Sequence, residues 1–420
     1  MKFSLHILLS VATAFGSHSA LQAQVNSAYE VATWRQFKQA AITYTLDDNT
    51  SKQLPVAIPL FDQYNFKTTL FTVTNWMPNW VGLRAASLDG HEVASHTVTH
   101  PSLGTLTVAQ QMVELQQSQA TIKANVPTAA CETVAYPNCV LGDIPTLQQY
   151  YLAGRICSGA IVPSTPTDFW NISSIITGNT GSVQLAADFN AKVQQAKTAK
   201  GWCVFLTHAI DNDAGYSPTQ STELAAHLAY VNTNIADFWV ATFAEVVKYI
   251  KERNAVSVTE TTVSADELSL VVADNLPDAA YNVPLTLRRQ LPAAWPAASV
   301  AQGATPLTST ITTVGGVRYL VFDAVPDKGT IRLAKAGVVT SVANAAASPD
   351  THLWPNPFTD TITLEAKGAF AYAIYALDGK LTQAGQGVNS LVLPNTLAQG
   401  TYVVKISQNG QLVSSKIVKK

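Results

Sequence analysis

Short apolar runs alternate with helical patterns along the chain from about residue 38 to residue 254. The apolar runs are rich in β-branched and aromatic residues, as is typical of strands buried on both faces. Two segments between them carry apolar residues at three- and four-residue spacing after a Thr or Ser cap, which predicts amphipathic helices. Repeated strand-then-helix units indicate a parallel sheet, either a barrel or an open doubly wound sheet. The predicted strands are AAITYTLDD, KTTLFTV, HEVASH, TVAYP, WCVFLTHAI and DFWVATF, and the predicted helices are LTVAQQMVELQQSQATIKANV and STELAAHLAYVNTNI.

The helical pattern ends near residue 255. From there to residue 343, short strands separated by turns predict a small β-sandwich, on the segments LSLVVAD, VPLTLRR, RYLVFDAV and GTIRLAK. From Leu353 to Lys420, alternating strands with hairpin signals at Asp378-Gly379 and Asn409-Gly410 predict a second small all-β sandwich. The predicted units are residues 24–254, residues 255–343, a linker rich in Ala, Ser and Pro at 344–352, and residues 353–420.

The N-terminus predicts export. Lys2 is followed by an apolar run through Phe15 and by Leu21-Gln22-Ala23, which is the pattern of a secretory signal peptide over residues 1–23. No other stretch reaches the roughly 18 apolar residues of a membrane span. Only 13% of the 420 residues are charged and the formal net charge is -2, so no basic surface for nucleic acid or anionic lipid is expected.

An oxidising compartment permits disulfides among the four cysteines, Cys131, Cys139, Cys157 and Cys203. Their spacing does not match a zinc ribbon. Three pairings are open, and the short loop between Cys131 and Cys139 favours that pair.

Two of the 8 histidines, His96 and His100, lie four residues apart and directly before Pro101. In an extended strand such residues are roughly 13 Å apart, too far to share an ion at about 2.0 to 2.1 Å from each imidazole. A shared ligand requires the chain to coil between them, and Pro101 prevents that coil from continuing as a regular helix. The spacing therefore indicates a short loop at the end of a strand.

Two adjacent carboxylates, Asp47 and Asp48, end the first predicted strand. Adjacent strand residues face opposite ways, so one carboxylate can bind an ion while the other turns toward a bound water. One Asp with two His leaves an open coordination position, which is typical of a catalytic metal site that suits zinc and could also hold cobalt or iron. His208, at the end of the strand WCVFLTHAI, could be the general acid for a leaving amine or alcohol.

In order and spacing over about residues 40–250, these residues resemble the polysaccharide deacetylase family, carbohydrate esterase family four. The first, second and fifth family motifs read here Thr45-Leu46-Asp47-Asp48-Asn49, His96-Thr97-Val98-Thr99-His100 and Leu206-Thr207-His208. The resemblance implies a distorted (β/α) barrel and metal-assisted hydrolysis of acetyl groups. It also implies roles for single residues: Asp47 as general base, Asp48, His96 and His100 as ligands of one divalent metal, expected to be zinc, His208 as acid, and Leu206 in the pocket for the acetyl methyl.

Three motifs depart from the family pattern. Asn49 replaces a Gly, which is tolerable because Asn enters the left-handed region more easily than most residues. The third motif reads Ala135-Tyr136-Pro137-Asn138, without the Arg that braces the base in the family. The backbone N–H of Asn138 remains the expected oxyanion donor, and Tyr136 an expected substrate contact. The fourth motif survives only as Asp168 and Trp170, with Trp170 a further candidate substrate contact.

The last 68 or so residues resemble the sorting domain of type nine secretion. The resemblance lies in LWPNPFTDTITLE, YALDGK, LAQGTYVVKI and the terminal SKIVKK. It implies a partnership with the type nine secretion machinery and a secreted or cell-surface location.

Three functions are compatible with these features. The leading prediction is removal of N-acetyl groups from an aminosugar polymer, chitin-like or peptidoglycan-like. An O-acetyl xylan esterase would use the same metal and water. The third is a catalytically inactive carbohydrate-binding relative, because the bracing Arg is absent from its motif.

Overall fold

The computed structural model describes residues 26–336, 352–376, 381–393, 397–408 and 411–420. They form two compact units that divide between residues 337 and 338. The predicted signal peptide and residues 344–351 of the predicted linker lie outside the described residues. Of the helices in this described part of the chain, none is long and apolar enough to cross a membrane.

The first unit begins with mixed strands and helices and ends with strands alone. In chain order the elements are β1 (Tyr29–Val31), β2 (Ala40–Asp47), α1 (Ile58–Asp62), β3 (Thr69–Thr72), α2 (Trp80–Leu88), β4 (Glu92–Ser95), α3 (Val108–Asn125), β5 (Thr133–Ala135), α4 (Ile144–Leu147), β6 (Ala153–Arg155), β7 (Ile175–Ile176), α5 (Ala186–Ala199), β8 (Trp202–Thr207), α6 (Ser221–Thr233), β9 (Phe238–Val240), α7 (Phe243–Ala255), β10 (Ser257–Ser264), β11 (Glu267–Ala273), β12 (Leu285–Gln290), β13 (Ala297–Gln302), β14 (Thr305–Leu307), β15 (Ser309–Val314), β16 (Val317–Ala324) and β17 (Ile331–Ala336). A π-helical turn at Gln53–Ala57 precedes α1, and 3-10 turns lie at Arg35–Phe37, Leu103–Thr105 and Pro137–Cys139.

Eight strands form one parallel sheet in the order β6-β5-β4-β3-β2-β8-β7, with β9 beside the first half of β2. With its flanking helices the sheet is the distorted (β/α) barrel that the family resemblance predicted. All six predicted strands of this region are confirmed as β2, β3, β4, β5, β8 and β9, and the two predicted helices as α3 and α6. The very short strands β6 and β7 were not predicted.

Burial on both faces explains the apolar run of β2. All eight of its residues are buried. Ile42 and Tyr44 pack into one hydrophobic cluster with residues of α5 and α6, whereas Ala41 packs into a second cluster with residues of α7. A strand covered by helices on both sides needs no solvated face, so β2 combines apolar residues with the buried Thr43 and Thr45 and carries a charged residue only at its end, Asp47.

The strands from β10 onward form the predicted β-sandwich. One antiparallel sheet has the order β1-β12-β16-β15 and the other β10-β11-β17-β13-β14. Strand β1, which precedes the barrel in sequence, pairs with β12, with Tyr29 opposite Arg289. The cluster that contains Val247 and Ile250 of α7 continues into Leu285 and Leu287 of β12. Barrel and sandwich therefore share one core.

The second unit is all-β, as predicted, and consists of one antiparallel sheet that is nearly closed. Its strands are β18 (His352–Trp354), β19 (Ile362–Ala376), β20 (Leu381–Leu393), β21 (Gly400–Gln408) and β22 (Gln411–Lys419). The Phe358 N–H donates to the Val418 carbonyl (2.9 Å), and the Lys420 N–H donates to the Phe358 carbonyl (2.9 Å). These bonds attach the segment before β19 to β22. The two predicted hairpin turns lie among residues that the structure does not describe.

The disulfide joins Cys139 to Cys157, so the predicted pair Cys131–Cys139 is wrong. Cys139 follows β5 and Cys157 follows β6, and these two strands are parallel neighbours. Strand adjacency, which brings the two Cα atoms within 5.6 Å, decides the pairing in place of loop length. Cys131 and Cys203 are free and buried in the core, where burial raises the pKa of each thiol.

Glu252 of α7 is a buried carboxyl beside the sandwich. Its Oε1 accepts a hydrogen bond from the Val283 N–H (3.1 Å), and its Oε2 has no partner within the described residues. Burial raises the pKa of Glu252 from 4.5 to about 8. The folded state thus keeps a proton that the unfolded state releases, and stability falls as pH rises from 4.5 to about 8.

We expect Glu252→Gln, which stays neutral, to gain stability relative to the wild-type protein as pH rises across this window. Thermal unfolding at several pH values checks this, with the exposed Glu30→Gln as control. A difference in melting temperature that is constant from pH 4.5 to pH 8 would contradict a neutral Glu252.

Candidate metal and active site

Three parallel strands deliver the predicted site residues to one edge of the sheet. Strand β2 ends at Asp47 and is followed by Asp48, while His96 follows β4 and His208 follows β8. The carboxyl ends of parallel strands meet at the same edge, where sites of α/β folds lie. The structure therefore brings together side chains that are up to 161 residues apart in sequence, as with Asp47 and His208.

Asp48, His96 and His100 form a possible metal site. Asp48 Oδ1 lies 3.5 Å from His96 Nε2 and 3.4 Å from His100 Nε2. Ligand atoms about 2.1 Å from a tetrahedral ion are about 3.4 Å from one another. Asp48 Oδ1 is buried and has no hydrogen-bond partner within the described part of the chain. The three residues thus fit a divalent cation in spacing and in donor type.

The charge state of Asp48 follows from its neighbours. Burial tends to raise its pKa, but the neighbouring imidazoles of His96, His208 and His100 hold the pKa of Asp48 below its ordinary value. The pKa of His100 is lowered, first by burial and then by the charge of His96. An ionised carboxylate and a neutral imidazole are the forms that bind metal.

The loop from His96 to His100 coils as the spacing predicted, and the two imidazole centroids are 4.8 Å apart. Thr97 and His100 both have left-handed backbone conformations, with φ of 67° and 63°. The His100 N–H donates to Thr97 Oγ1 (3.1 Å). His96 Nδ1 lies 2.8 Å from the Ala135 carbonyl, which can only accept, so Nδ1 carries the proton and the Nε2 lone pair is left for an ion.

Glu114 of α3 holds this loop from outside. Its Oε2 accepts the N–H groups of Val98 (2.8 Å) and Thr99 (2.9 Å), and its Oε1 accepts the Thr99 hydroxyl (2.6 Å). Sequence reasoning missed Glu114, because an acidic residue on an amphipathic helix reads as part of a solvated face. Its three bonds fix the backbone between the two histidines.

Asp47 is braced by an arginine that the third motif does not contain. Arg155, the last residue of β6, donates from Nη2 to Asp47 Oδ2, and both side chains are about 3% exposed or less. Arg155 Nη1 donates to Ser174 Oγ (2.9 Å), and the guanidinium lies 5.1 Å from the centre of the Phe71 ring. The expectation that the base lacks an arginine is therefore wrong for the folded chain. The arginine comes from the strand beside β5.

His208 lies across the cavity from the two histidines. Its Nε2 is 4.0 Å from Asp48 Oδ2, and its Nδ1 is buried without a partner in the described structure. Burial is the main cause that lowers the pKa of His208. The Tyr216 ring packs edge-on against the imidazole at 5.0 Å. Gln53 Nε2 donates to the His208 carbonyl (2.9 Å), which anchors the backbone.

The fourth motif does not reach the site. Asp168 accepts the Trp170 N–H (2.8 Å) and the Asn171 side-chain amide, so it does not orient His208. Trp170 packs against the hydrophobic core and is not one of the cavity-lining residues. The structure thus does not support its predicted substrate contact.

A cavity of about 460 Å³ opens over this sheet edge. The predicted contacts Leu206, Asn138 and Tyr136 all line it. The full lining is Asp47, Asp48, His96, His100, Tyr136, Asn138, Cys139, Arg155, Cys157, Ile176, Leu206, His208 and Tyr216. Residue 154 must be glycine for Tyr136 to fit, because a Cβ at Gly154 would lie 1.7 Å from the Tyr136 hydroxyl oxygen.

Unsatisfied polar atoms concentrate in this cavity. Among the described residues, five buried side-chain atoms of the cavity lining have no hydrogen-bond partner: Asp47 Oδ1, Asp48 Oδ1, Tyr136 Oη, Arg155 Nε and His208 Nδ1. Buried polar groups are normally paired, and exceptions indicate a bound group or a chemical role. The arrangement suits an ion, a water and a polar substrate.

A second acidic and histidine cluster, Asp62, Asp89 and His91, is already filled by the chain itself. Lys67 Nζ lies 2.7 Å from Asp89 Oδ2 and 3.3 Å from Asp62 Oδ1. His91 Nδ1 accepts the Thr68 N–H (3.1 Å), so Nε2 carries the proton and donates to Asp62. This cluster presents an ammonium and an N–H where a cation would bind.

Two family models match parts of this chain. Residues 35–146 match the family model of polysaccharide deacetylase, and residues 352–420 match the secretion system C-terminal sorting domain. A gellan lyase from Bacillus sp is 28% identical over 347 residues, which are 77% of this chain and 14% of that protein. A chitin deacetylase from Amylomyces rouxii is 25% identical over 168 residues, 40% of this chain and 38% of that protein. The chain thus spans well under half the length of these curated relatives.

Comparison with solved structures finds further proteins that this chain resembles in part. The Xyl-CE4 domain of a multidomain xylanase from the hindgut metagenome of Trinervitermes trinervoides has a TM-score of 0.37 and 17% identity, covering 49% of this chain and 89% of that one. A family 4 acetyl xylan esterase from Clostridium thermocellum, in complex with a cobalt ion, has a TM-score of 0.37 and 16% identity, covering 49% and 89%.

We expect Glu114→Ala to weaken metal binding about 10- to 100-fold, as loss of an outer ligand support commonly does, because the loop between His96 and His100 loses three hydrogen bonds. Titration of the metal-free protein with zinc measures the affinity. Gln116→Ala, an exposed change on the same helix, is the matched control. Equal affinities of the two variants would contradict the bracing role of Glu114.

Proposed function

We propose that this protein is an exported metal-dependent hydrolase that removes N-acetyl groups from an aminosugar polymer. Its matches to the polysaccharide deacetylase family and to the secretion-sorting domain support this proposal. The similarity to a chitin deacetylase supports the N-acetyl substrate. The sorting domain indicates export by type nine secretion to the cell surface or the exterior.

One observation carries the proposal: two adjacent carboxylates are held for different tasks. Asp48 faces the two histidines with an unpartnered oxygen. Asp47 is held through Oδ2 by Arg155, and its Oδ1 is unpartnered within the described residues while the side chain lines the cavity. A fixed carboxylate with one free oxygen next to a metal site suits a general base.

Asp48, His96 and His100 would hold the cation, and zinc suits this donor set. A divalent cation held there supplies Lewis acidity, which polarises an acetyl carbonyl and lowers the pKa of water. Asp47 accepts the proton of the attacking water at Oδ1, while Arg155 keeps the carboxylate from rotating away. The Asn138 backbone N–H donates to the oxyanion that develops. His208 in its protonated, imidazolium form gives a proton from Nε2 to the departing amine, and Leu206 accommodates the acetyl methyl.

The contact of Arg155 with Asp47 favours an active enzyme over an inactive carbohydrate-binding relative. That alternative depends on a base without its bracing Arg. With Arg155 in contact with Asp47, the base has a cationic partner that is buried and itself anchored by Ser174. Arg155 on β6 therefore takes the place of the arginine that the third motif lacks.

We expect the zinc-loaded protein to release acetate from N-acetylated chitooligosaccharide, and Asp47→Asn to lose about 10²- to 10⁴-fold in kcat, the range for loss of a general base. Asp47→Asn should keep its zinc, whereas Asp48→Asn should lose it, and the exposed Asp89→Asn should change neither. Acetate from acetylxylan alone would instead identify an O-acetyl esterase. Zinc and glycan binding without any acetate release would identify an inactive relative.

A second prediction concerns Arg155. We expect Arg155→Met to reduce kcat about 10- to 100-fold with little change in zinc affinity, because Asp47 loses its orientation but no ligand is removed. Added guanidinium ion should partly restore kcat in this variant, since it can occupy the vacated site beside Asp47. Steady-state kinetics with and without guanidinium measure this, and unchanged kcat in Arg155→Met would contradict the brace.

A further inference from the structure

We propose that the Cys139–Cys157 disulfide is a positioning element of the active site: it holds the turn that carries the Asn138 N–H against the segment that carries Arg155, so that turnover requires the oxidised pair. The inference rests on the proposed function. It assigns a catalytic consequence to a cross-link that the family resemblance did not predict.

The disulfide lies in the wall of the cavity. Cys139 and Cys157 both line it, and so do Asn138 and Arg155. Cys139 ends the 3-10 turn Pro137–Cys139 after β5, and Cys157 comes two residues after Arg155. The cross-link therefore joins the two segments that supply the proposed oxyanion donor and the brace of the base.

The turn that carries Asn138 has an unfavourable backbone. Asn138 and Cys139 have φ of 55° and 61°, in the left-handed region that residues with a side chain seldom occupy. Asn138 is exposed. Asn tolerates this region better than most residues, so the less favourable conformation is that of Cys139, which persists only where its surroundings impose it. The disulfide on Cys139 is one such restraint.

The partner segment is fixed on its other side, because the N–H groups of Gly154 and Ile156 donate to the carbonyls of Phe169 and Ile172 (2.9 Å each). Toward the Asn138 turn its hydrogen bonds are few. Strand β6 has only three residues, and its ladder with β5 ends at Ala135 opposite Arg155. One further bond, from the Tyr136 N–H to the Arg155 carbonyl (3.1 Å), follows it. Ser158, Gly159 and Ala160 beyond Cys157 are exposed. The disulfide thus continues the connection between the two strand ends just where their hydrogen bonds stop.

The other two cysteines cannot replace this link. Cys131 and Cys203 are buried at 1% and 0% exposure. They are also free, so a reductant acts on the cystine alone. A phosphine reduces it by a balanced step: the S–S bond breaks, water supplies the oxygen of the phosphine oxide, and its two protons give two thiols.

The test compares the zinc-loaded wild-type protein with the double variant Cys139→Ser/Cys157→Ser. Each is assayed with and without a phosphine reductant. A phosphine is chosen because thiol reductants bind zinc. We expect kcat to fall about 100-fold in the double variant and in the reduced wild type, the scale of a 1 Å misplacement, with KM and zinc content nearly unchanged. Reductant should not affect the double variant further. Wild type and Cys131→Ala/Cys203→Ala should lose the same fraction of kcat on reduction.

Amide hydrogen exchange gives a readout that does not depend on turnover. We expect faster exchange in residues 136–141 on reduction, with no change in residues 153–156 or in helix α6. If the oxidised wild type hydrolyses none of the acetylated substrates, the proposed function fails, and exchange still decides whether the disulfide holds the Asn138 turn. Unchanged kcat, unchanged exchange in residues 136–141, or loss of zinc together with activity would each overturn the positioning role, the last by showing a merely structural one.

Discussion

The parallel pairing of β2 with β3 on one side and β8 on the other is the constraint on which the site depends. Asp47 is the last residue in register with β3, and Leu46 pairs with Thr207 of β8. Since β3 and β8 run parallel to β2, and β4, which precedes His96, runs parallel to β3, the loops after all four strands emerge at the same edge. This edge brings Asp48 close to the His96 loop and to His208, although the three segments are far apart in the sequence.

Collecting ligands at this edge has a conformational cost. Six residues with side chains have left-handed backbones in three of its loops, namely Asp48, Asn49, Thr97, His100, Asn138 and Cys139. Such conformations cost on the order of 1 kcal/mol each or more and are retained at functional sites. The loops are restrained individually: Asn49 Nδ2 donates to the Val73 carbonyl (2.8 Å), Glu114 binds the histidine loop, and the disulfide ties the third.

Electrostatics complete the arrangement. Two adjacent carboxylates in a poorly solvated site repel each other unless each has its own cationic partner. Arg155 supplies one partner permanently, and the imidazoles around Asp48 are arranged for a cation. This division gives Asp47 and Asp48 different chemistry although they are neighbours in sequence. Buried ion pairs contribute little net stability. The main effect of the Arg155–Asp47 contact is therefore to orient the Asp47 carboxylate.

Local sequence alone determined the elements with strong patterns and the residues that bear chemistry. Long apolar strands such as β2 and β8 and the capped helix α3 were predictable, because burial and capping leave a signal within a few residues. The pair His96 and His100 was predictable for the same reason: its spacing and Pro101 restrict the backbone locally. Only tertiary structure decided that Arg155 braces Asp47, that Glu114 holds the histidine loop, and that Cys139 bonds to Cys157. Each of these depends on which strands and helices are neighbours in space, and a three-residue strand such as β6 carries no periodicity from which that adjacency could be read.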